Sequence, residues 1–300
     1  MKLNKTYEGN CIETMMSFQD DSIDCCVTSP PYWGLRDYGC DGQIGLEETP
    51  EMYINNMVEV FAEVKRILKP EGTLWLNLGD SYMGNCSRTS SGRAGYGKPR
   101  EGVYQKAGLG LKTKDLAGIP WRVAMALQQS RKVCRLGCDN PTFKYDEPAE
   151  DYYCELCGER CEYEQGWYLR QDIIWHKTNP MPESVKDRCT KSHEYIFLLS
   201  KRDRYYFDAD AIKEEAVTGG VRNKRDVWTV PVKPYKEAHF ATFPPDLIKP
   251  CILAGCPNNG IVLDPFMGSG TTAMVAKDNG RRYVGCELNP EYIKLNRANQ

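Results

Sequence analysis

The sequence predicts an α/β fold built on a mainly parallel β-sheet with helices on both faces. Short apolar runs typical of buried strands occur at 23–28, 73–78 and 261–264. Segments with apolar residues at helical spacing alternate with these runs, and Pro and Gly mark their boundaries. Strands that alternate with helices form parallel sheets, because each crossover helix carries the chain back to the start of the next strand.

The individual elements follow the chain in order. The strand at 23–28 stops at a Ser-Pro-Pro-Tyr turn (29–32), because consecutive prolines cannot continue a central strand. A helix begins after Thr49, and Pro70 with Gly72 ends it. The later predictions are a strand at 73–78, a helix at 120–129, strands at 168–175 and 195–199, a helix at 245–254, a strand at 261–264, a helix at 271–278 and a strand at 283–287.

Length and composition indicate one large domain that carries a small insertion. The chain has 300 residues, of which 41% are hydrophobic. We assign residues 1–130 and 166–300 to the main domain and residues 131–165 to a cysteine-rich insertion, with long polar loops at 83–114 and 209–228. No run of 18 apolar residues occurs and the start is polar, so we expect a cytoplasmic protein that does not associate with membranes.

The charge of the chain is unevenly distributed. The formal net charge is −2, but residues 1–81 carry 6 basic and 14 acidic side chains, whereas residues 82–140 carry 11 basic and 3 acidic ones. A polyanion responds to the local field, so the middle of the chain is the predicted nucleic-acid-facing part. The alternative is a basic loop that is merely solvated.

A glycine-rich turn at 264–270 joins a predicted strand to a predicted helix. Gly268 and Gly270 lack a Cβ atom, so a ligand can approach the backbone closely there. Glu287 follows Gly270 by 17 positions, at the end of the next strand, where a carboxylate would accept hydrogen bonds from ribose hydroxyls. These features indicate an adenosine-containing cofactor. Because Gly268, Gly270 and Ala273 also fit the loose dinucleotide pattern, a nicotinamide-dependent oxidoreductase and a purely structural turn remain alternatives.

The Ser-Pro-Pro-Tyr turn has the composition of a site for an amino group. The Ser29 hydroxyl and the Pro30 carbonyl are acceptors on a backbone that Pro30 and Pro31 have stiffened. Tyr32 offers a flat face for a base that has been swung out of a helix. A chance turn is the alternative for so short a string, but its position at the end of a buried strand favours a functional site.

With both motifs present, the sequence resembles the β-class DNA amino-methyltransferases, in which the catalytic motif precedes the cofactor motif. The segments that carry the resemblance are 28–39 (TSPPYWGLRDYG), 74–82 (LWLNLGDSY), 171–188 (QDIIWHKTNPMPESVKDR), 192–206 and 239–287. Together they cover most of the chain outside 83–115 and 131–165. The resemblance implies a Rossmann-like methyltransferase fold with permuted motif order.

The resemblance also implies a cofactor, a reaction and roles for individual residues. The implied cofactor is S-adenosyl-L-methionine, and the implied reaction is direct attack of an exocyclic amine on its methyl group. Ser29, Pro30, Pro31 and Tyr32 would form the catalytic turn that holds the target base. The implied cofactor-binding residues are Asp264, Phe266, Gly268 and Gly270 around the cofactor, Glu287 at its ribose, and Phe243 and Pro244 around its methionine part.

The resemblance leaves the target base open between cytosine N4 and adenine N6. Ser29 favours cytosine, because adenine enzymes of the resembling family more often have Asp or Asn at this position. Adenine enzymes with Ser also exist.

The implied partner is double-stranded DNA, with a cognate restriction endonuclease and a second copy of the chain as further expected partners. We expect the polar segment 209–228 to recognise the target together with the cysteine-rich insertion. The basic segment 83–114 would contact phosphates. Its basic residues are Arg88, Arg93, Lys98, Arg100, Lys106, Lys112 and Lys114.

Paired cysteines in the insertion predict a structural zinc site. Cys134 with Cys138 and Cys154 with Cys157 have the spacing of two knuckles around a tetrahedral ion, and Cys161 is the expected substitute ligand. Reduced packing cysteines and redox chemistry are the alternatives. A zinc-ribbon DNA-binding protein without catalytic activity is a further alternative, although every motif residue is intact.

Overall fold

One eight-stranded sheet organises the part of the chain that the computed structural model describes, residues 1–83, 109–134, 136–138, 142–149, 151–217, 219–233 and 243–295. The strands are β1 (Lys5–Glu8), β2 (Ile23–Thr28), β3 (Leu68–Leu78), β4 (Arg131–Cys134), β5 (Phe143–Asp146), β6 (Asp151–Cys154), β7 (Cys161–Glu164), β8 (Tyr168–His176), β9 (His193–Ser200), β10 (Glu214–Glu215), β11 (Val221–Arg222), β12 (Val227–Thr229), β13 (Ile261–Asp264) and β14 (Arg282–Glu287). The helices are α1 (Cys11–Met16), α2 (Pro50–Ile67), α3 (Ile119–Gln128), α4 (Pro245–Gly255), α5 (Thr271–Asp278) and α6 (Pro290–Lys294).

The strand order of the sheet is β1-β14-β13-β2-β3-β9-β8-β12. Seven of these strands run in the same direction, and β9 opposes its neighbours β3 and β8. The predicted α/β class with a mainly parallel sheet is therefore confirmed. Carboxyl ends of parallel strands meet at one edge of a sheet, and both predicted motifs follow such ends, after β2 and after β13.

Helices cover both faces of the sheet and bury a separate apolar cluster on each. On one face α1, α2 and α3 contribute residues such as Met15, Phe61 and Val123, all fully buried. On the other face α4 and α5 contribute Leu247 and Val275. Each such side chain stabilises the fold by about 1.5–3 kcal/mol when it leaves water, so the sheet is a stiff platform for the loops at its edge.

Strand β3 begins at Leu68, earlier than the predicted start at residue 73. Its register with β2 shifts, because Ile23 pairs with Leu68 whereas Cys25 pairs with Thr73. Pro70 therefore lies in the irregular first part of the strand, where a missing N–H group is tolerated. The prediction that Pro70 separates a helix from a later strand was wrong in this detail.

The segment 209–228, predicted as a polar loop, contains regular structure. It includes a short 3-10 helix at Asp210–Ile212 and an antiparallel pair of β10 and β11. Strand β12 adds an edge strand parallel to β8 and buries Trp228. A strand of three residues carries too little periodicity to stand out in the sequence.

The cysteine-rich insertion leaves and rejoins the main domain at one point. It consists of two antiparallel strand pairs, β4 with β7 and β5 with β6. The Trp167 N–H donates to the Leu127 carbonyl at 2.8 Å, so the chain ends that flank the insertion are adjacent. Gly166 permits this closure, because a Cβ atom there would collide with the Gln128 carbonyl.

Most of the basic segment predicted at 83–114 lies outside the described residues, including Arg88, Arg93, Lys98, Arg100 and Lys106. Lys112 and Lys114 are described, and each forms an exposed ion pair, with Asp115 and Asp187 respectively. Within the described ranges, no helix has the length and apolar character needed to cross a bilayer.

Candidate active site

A cavity of about 230 Å³ opens at the carboxyl edge of the sheet and brings the two predicted motifs together. Two predicted residues do not line it. Gly270 caps the start of α5 in a left-handed conformation (φ 81°), and Pro244 precedes α4. The predicted residues that line the cavity are Ser29, Pro30, Pro31, Tyr32, Phe243, Asp264, Phe266, Gly268 and Glu287.

The glycine-rich turn is fixed by the carboxylate of Glu287. This carboxylate accepts hydrogen bonds from the N–H groups of Gly268 at 2.7 Å and Asn289 at 2.8 Å. Burial raises the pKa of Glu287 above its usual value. Each carboxylate oxygen has a second lone pair, so Glu287 retains acceptor capacity toward a ligand in the cavity.

Gly268 adopts a left-handed backbone conformation with φ 53°. Only the Phe266 carbonyl lies as close as 4.0 Å to the position that a Cβ atom at residue 268 would occupy. A side chain would therefore be strained here and would occupy space beside the turn, so glycine keeps the turn open to a ligand.

Two buried hydroxyls, one in the same turn and one at the start of α5, have no hydrogen-bond partner among the described residues. They are Ser269 Oγ and Thr271 Oγ1, and both residues line the cavity. A buried hydroxyl without a partner costs about 1–3 kcal/mol, so a bound polar ligand would compensate two such losses. Neither was a predicted site residue, although both stand in the motif, because a hydroxyl in a tight turn is usually satisfied locally.

Asp264 connects the glycine-rich turn to the strand that precedes the Ser-Pro-Pro-Tyr turn. One carboxylate oxygen accepts from the Thr28 hydroxyl at 2.6 Å and from the Phe266 N–H at 3.0 Å. The other accepts from the Thr272 hydroxyl at 2.7 Å. Burial raises the pKa of Asp264 to about 6. These contacts give Asp264 a positioning role between the two turns, in addition to its place in the cavity wall.

The Ser-Pro-Pro-Tyr turn (29–32) is fixed by a hydrogen bond from α2 and by a hydrogen bond within the turn. The Tyr53 hydroxyl donates to the Pro31 carbonyl at 2.9 Å. On the cavity side, the Ser29 hydroxyl donates to the Tyr32 hydroxyl at 3.4 Å. No described residue donates to the Pro30 carbonyl, which therefore remains available as an acceptor beside the Ser29 oxygen.

A polar network that sequence analysis missed fixes the Tyr32 hydroxyl. The Tyr32 hydroxyl donates to Glu194 at 2.7 Å and lies 3.1 Å from the Asn77 side-chain oxygen. Glu194 also forms an ion pair with Lys177, and both side chains are largely buried. Burial, with Glu194 nearby, raises the pKa of Tyr32. These residues lie at the ends of β3, β8 and β9 that meet at the cavity. Polar residues at these strand ends were the sequence feature that could have identified them as part of the site.

Gly79 provides the space in which the Tyr32 ring lies. A Cβ atom at position 79 would lie 2.5 Å from Cε2 and 2.9 Å from Cδ2 of this ring. Real Cβ atoms do not approach carbon so closely, so any other residue at 79 would displace the ring. The orientation of Tyr32 is therefore set by its hydroxyl contacts and by close approach of backbone.

The four cysteines predicted as zinc ligands converge in the insertion. The sulfur atoms of Cys134, Cys138, Cys154 and Cys157 all lie within 4.8 Å of one another. A tetrahedron with Zn–S bonds of about 2.3 Å places its sulfurs roughly 3.8 Å apart, so the cluster has the size and donor set of a zinc site. Cys161 is buried but does not belong to this cluster.

Known proteins are similar in sequence to nearly the whole of this chain. The family model described as DNA methylase (N6_N4_Mtase) matches residues 23–298. Type II methyltransferase M.Cfr9I of Citrobacter freundii is 46% identical over 96% of this chain and 85% of its own length. Type II methyltransferase M.SmaI of Serratia marcescens is 45% identical over 97% of this chain and 88% of its own length.

Solved structures with similar folds confirm the Rossmann-like methyltransferase architecture. PvuII DNA methyltransferase (cytosine-N4-specific) aligns with a TM-score of 0.66 at 18% identity, over 99% of this chain and 86% of that one. The putative DNA modification methylase TTHA0409 of Thermus thermophilus, complexed with S-adenosyl-L-methionine, aligns with a TM-score of 0.55 at 21% identity, over 98% of this chain and 92% of that one. The family match and the sequence identity to these relatives show that the chain belongs to the DNA methylase family and is a DNA methyltransferase of the N6/N4 amino-methylase class.

Proposed function

We propose that this enzyme transfers a methyl group from S-adenosyl-L-methionine to the exocyclic N4 amine of a cytosine in double-stranded DNA. The observation that carries the proposal is the single cavity lined by both turns, 29–32 and 264–270. A methyl donor held by one turn would face an amine held by the other, and such positioning accounts for much of the rate of a displacement reaction. The family match excludes the nicotinamide-dependent oxidoreductase suggested by the glycine pattern.

The residues of the glycine-rich half of the cavity fit S-adenosyl-L-methionine. Glu287 would accept hydrogen bonds from the ribose hydroxyls, and the partnerless hydroxyls of Ser269 and Thr271 would satisfy polar groups of the same ligand. Phe243 and Phe266 supply apolar surface in the cavity wall. When bound, this cofactor supplies an electrophilic methyl group on a sulfonium.

The residues of the catalytic half would hold the amine and the base. The Ser29 oxygen and the Pro30 carbonyl would accept hydrogen bonds from the amine and stabilise the positive charge that develops on its nitrogen. The Tyr32 ring, fixed by Glu194 and Gly79, would stack on a base rotated out of the duplex. These groups would act by orientation and electrostatics, so the proposed displacement needs no covalent intermediate with the enzyme.

Ser29 favours cytosine as the target, and the cytosine-N4-specific PvuII enzyme, as a fold relative, is consistent with that choice. DNA from a host that expresses the enzyme should contain N4-methylcytosine when its nucleosides are separated and identified by mass spectrometry. DNA from a host that expresses Ser29→Ala should contain far less. N6-methyladenine in place of N4-methylcytosine would assign the enzyme to adenine, the alternative target.

We further propose one structural zinc ion in the insertion, held by Cys134, Cys138, Cys154 and Cys157. The described part of the insertion buries few apolar side chains, so a metal would compensate the entropy of ordering its two strand pairs. The ligand set is complete with four thiolates, which is typical of a structural site.

The relatives named as Type II methyltransferases suggest that this enzyme works beside a restriction endonuclease. DNA from the expressing host should then resist a nuclease that cuts unmodified DNA at the methylated sequence. Complete cleavage of that DNA at the sequence that carries the methylated base would contradict this proposal.

A further inference from the structure

The loop between β8 and β9 (residues 177–192) lies at the mouth of the cavity. Its first residue, Lys177, lines the cavity, and the Lys177 N–H donates to the Ser192 carbonyl at 2.7 Å, which closes the base of the loop. Both ends of this loop therefore lie at the edge of the sheet where the target base would bind. A DNA duplex that delivers a base to Tyr32 must therefore pass close to this loop.

The β8–β9 loop is anchored at several points although it contains no helix or strand. Asn179 exchanges two hydrogen bonds with the backbone of Val232, at 2.7 and 3.0 Å, and Val232 itself lines the cavity. The guanidinium carbon of Arg188 lies 3.9 Å from the centre of the Tyr82 ring. The Lys191 ammonium donates to the Asp80 carbonyl at 3.2 Å. Such anchors fix the position of the loop relative to the cavity.

The loop nevertheless exposes an apolar side chain close to its Asn179 anchor. Met181 is 67% exposed and stands between Pro180 and Pro182, which restrict the backbone. Methionine is one of the apolar residues that proteins insert between base steps, and a stiff, anchored loop beside the cavity would hold such a side chain in a fixed position.

The charge of the loop is complementary to that of duplex DNA. It carries four basic residues against the acidic Glu183 and Asp187, and Lys186 is exposed. Lys177 and Arg188 are ion-paired with Glu194 and Glu183, and Asp187 is ion-paired with Lys114. Lys186 and Lys191 therefore supply the positive charge for phosphates that flank an inserted side chain. The basic residues are Lys177, Lys186, Arg188 and Lys191.

We propose that Met181 enters the duplex as a wedge and occupies the space that the target base leaves when it rotates into the cavity. This inference rests on the proposed function, because it requires a flipped target base. Apolar wedges between base steps stabilise distorted duplexes by replacing the stacking that is lost. Met181 thus contributes to extrusion of the base, whereas Ser29 and Tyr32 act on the base after extrusion.

The test compares two duplexes that carry the site methylated in host DNA, one with the target base paired and one with it opposite an abasic position. Met181→Ala should slow single-turnover methylation of the paired duplex by about tenfold or more, because extrusion loses its wedge. On the abasic duplex the rate should return to within about twofold of the unaltered enzyme, because the target no longer has a pairing partner to lose. Met181→Leu should retain the rate on both duplexes.

Met16→Ala is the matched control, since Met16 is also 67% exposed but lies at the far end of α1. It should leave both rates unchanged. Equal slowing of both duplexes by Met181→Ala, or no slowing of either, would overturn the wedge while leaving the proposed function intact. Failure of the unaltered enzyme to methylate either duplex would instead contradict the proposed function itself.

Discussion

The hydroxyl of Thr28 donates a hydrogen bond of 2.6 Å to the carboxylate of Asp264, although 236 positions separate the two residues. Each residue ends a strand, β2 and β13, and these strands are neighbours in the sheet. The turn after β2 carries the acceptors proposed for the amine, and the turn after β13 carries the groups proposed for the cofactor. This hydrogen bond therefore fixes the spacing between the two halves of the proposed reaction.

The buried Asp264 should make stability depend on pH in a defined direction. Its pKa in the folded protein is raised from 3.8 to about 6, so between these values the folded protein binds more protons than the unfolded chain. The free energy of unfolding should fall as the pH rises through this window and level off above it. Asp264→Asn removes the titrating group. The difference in free energy of unfolding between the unaltered protein and this variant should therefore change by about 2 kcal/mol between pH 4.5 and 7.

Urea denaturation at several pH values measures this difference. Asp278→Asn, at an exposed position on α5, is the control and should show no such change. A difference between the Asp264→Asn variant and the unaltered protein that stays constant across the window would show that Asp264 does not titrate as its burial predicts.

Gly79→Ala should lower turnover by about a hundredfold, because the added methyl group would displace the Tyr32 ring from the position that the base requires. Affinity for S-adenosyl-L-methionine, measured by calorimetry, should change little, because Gly79 does not line the cavity. Tyr32→Ala should likewise lower turnover and leave the affinity for S-adenosyl-L-methionine nearly unchanged. A Gly79→Ala variant that turns over normally would remove the orientation of Tyr32 from the mechanism.

Glu287→Ala should weaken the binding of S-adenosyl-L-methionine by roughly tenfold to a hundredfold, because hydrogen bonds to a charged acceptor are lost. Gly268→Val should weaken it as well, since a β-branched residue is strained at φ 53°. Glu59→Ala, at an exposed position on α2, is the control for removal of a carboxylate. Unchanged affinity in the Glu287→Ala variant would place the ribose elsewhere.

Metal analysis of protein purified without chelator should give one zinc ion per chain. Cys154→Ser should lower this ratio sharply, because it removes one of four converging thiolates. Cys161→Ser is a stringent control, since Cys161 is buried in the same insertion but outside the cluster. If Cys161→Ser lost the metal and Cys154→Ser retained it, the ligand set would be wrong. A metal-free protein with a protease-resistant insertion would exclude zinc altogether.

The central elements of the fold were predictable because their sequences carry strong signals. The buried strands β2 and β13 are continuous apolar runs, and Thr49 with Pro50 marks the start of α2, where the Thr49 hydroxyl accepts from the Met52 N–H. The missed strands β1 and β12 are short and lie at the edges of the sheet, where fewer residues are buried. Such strands have little hydrophobic pattern to detect.

The site divides in the same way between local and long-range features. Ser29, Tyr32 and Gly268 belong to contiguous motifs whose residue types indicate their chemistry. Glu194 and Asn77 come from separate strands, and only the antiparallel pairing of β9 with β3 brings Glu194 to the cavity edge. A sequence pattern cannot reveal that reversal of strand direction. The role of Gly79 likewise depends on a ring 47 positions away in the chain.

The position of the methyl group after the reaction tests the proposed function most directly. Purified enzyme is incubated with unmethylated DNA and S-adenosyl-L-methionine labelled in its methyl group, and the nucleosides are then analysed by mass spectrometry with fragmentation of the base. We expect label on the exocyclic nitrogen of cytosine, at a rate that Ser29→Ala strongly lowers. Label on a ring carbon, or no label in DNA, would contradict the proposed function.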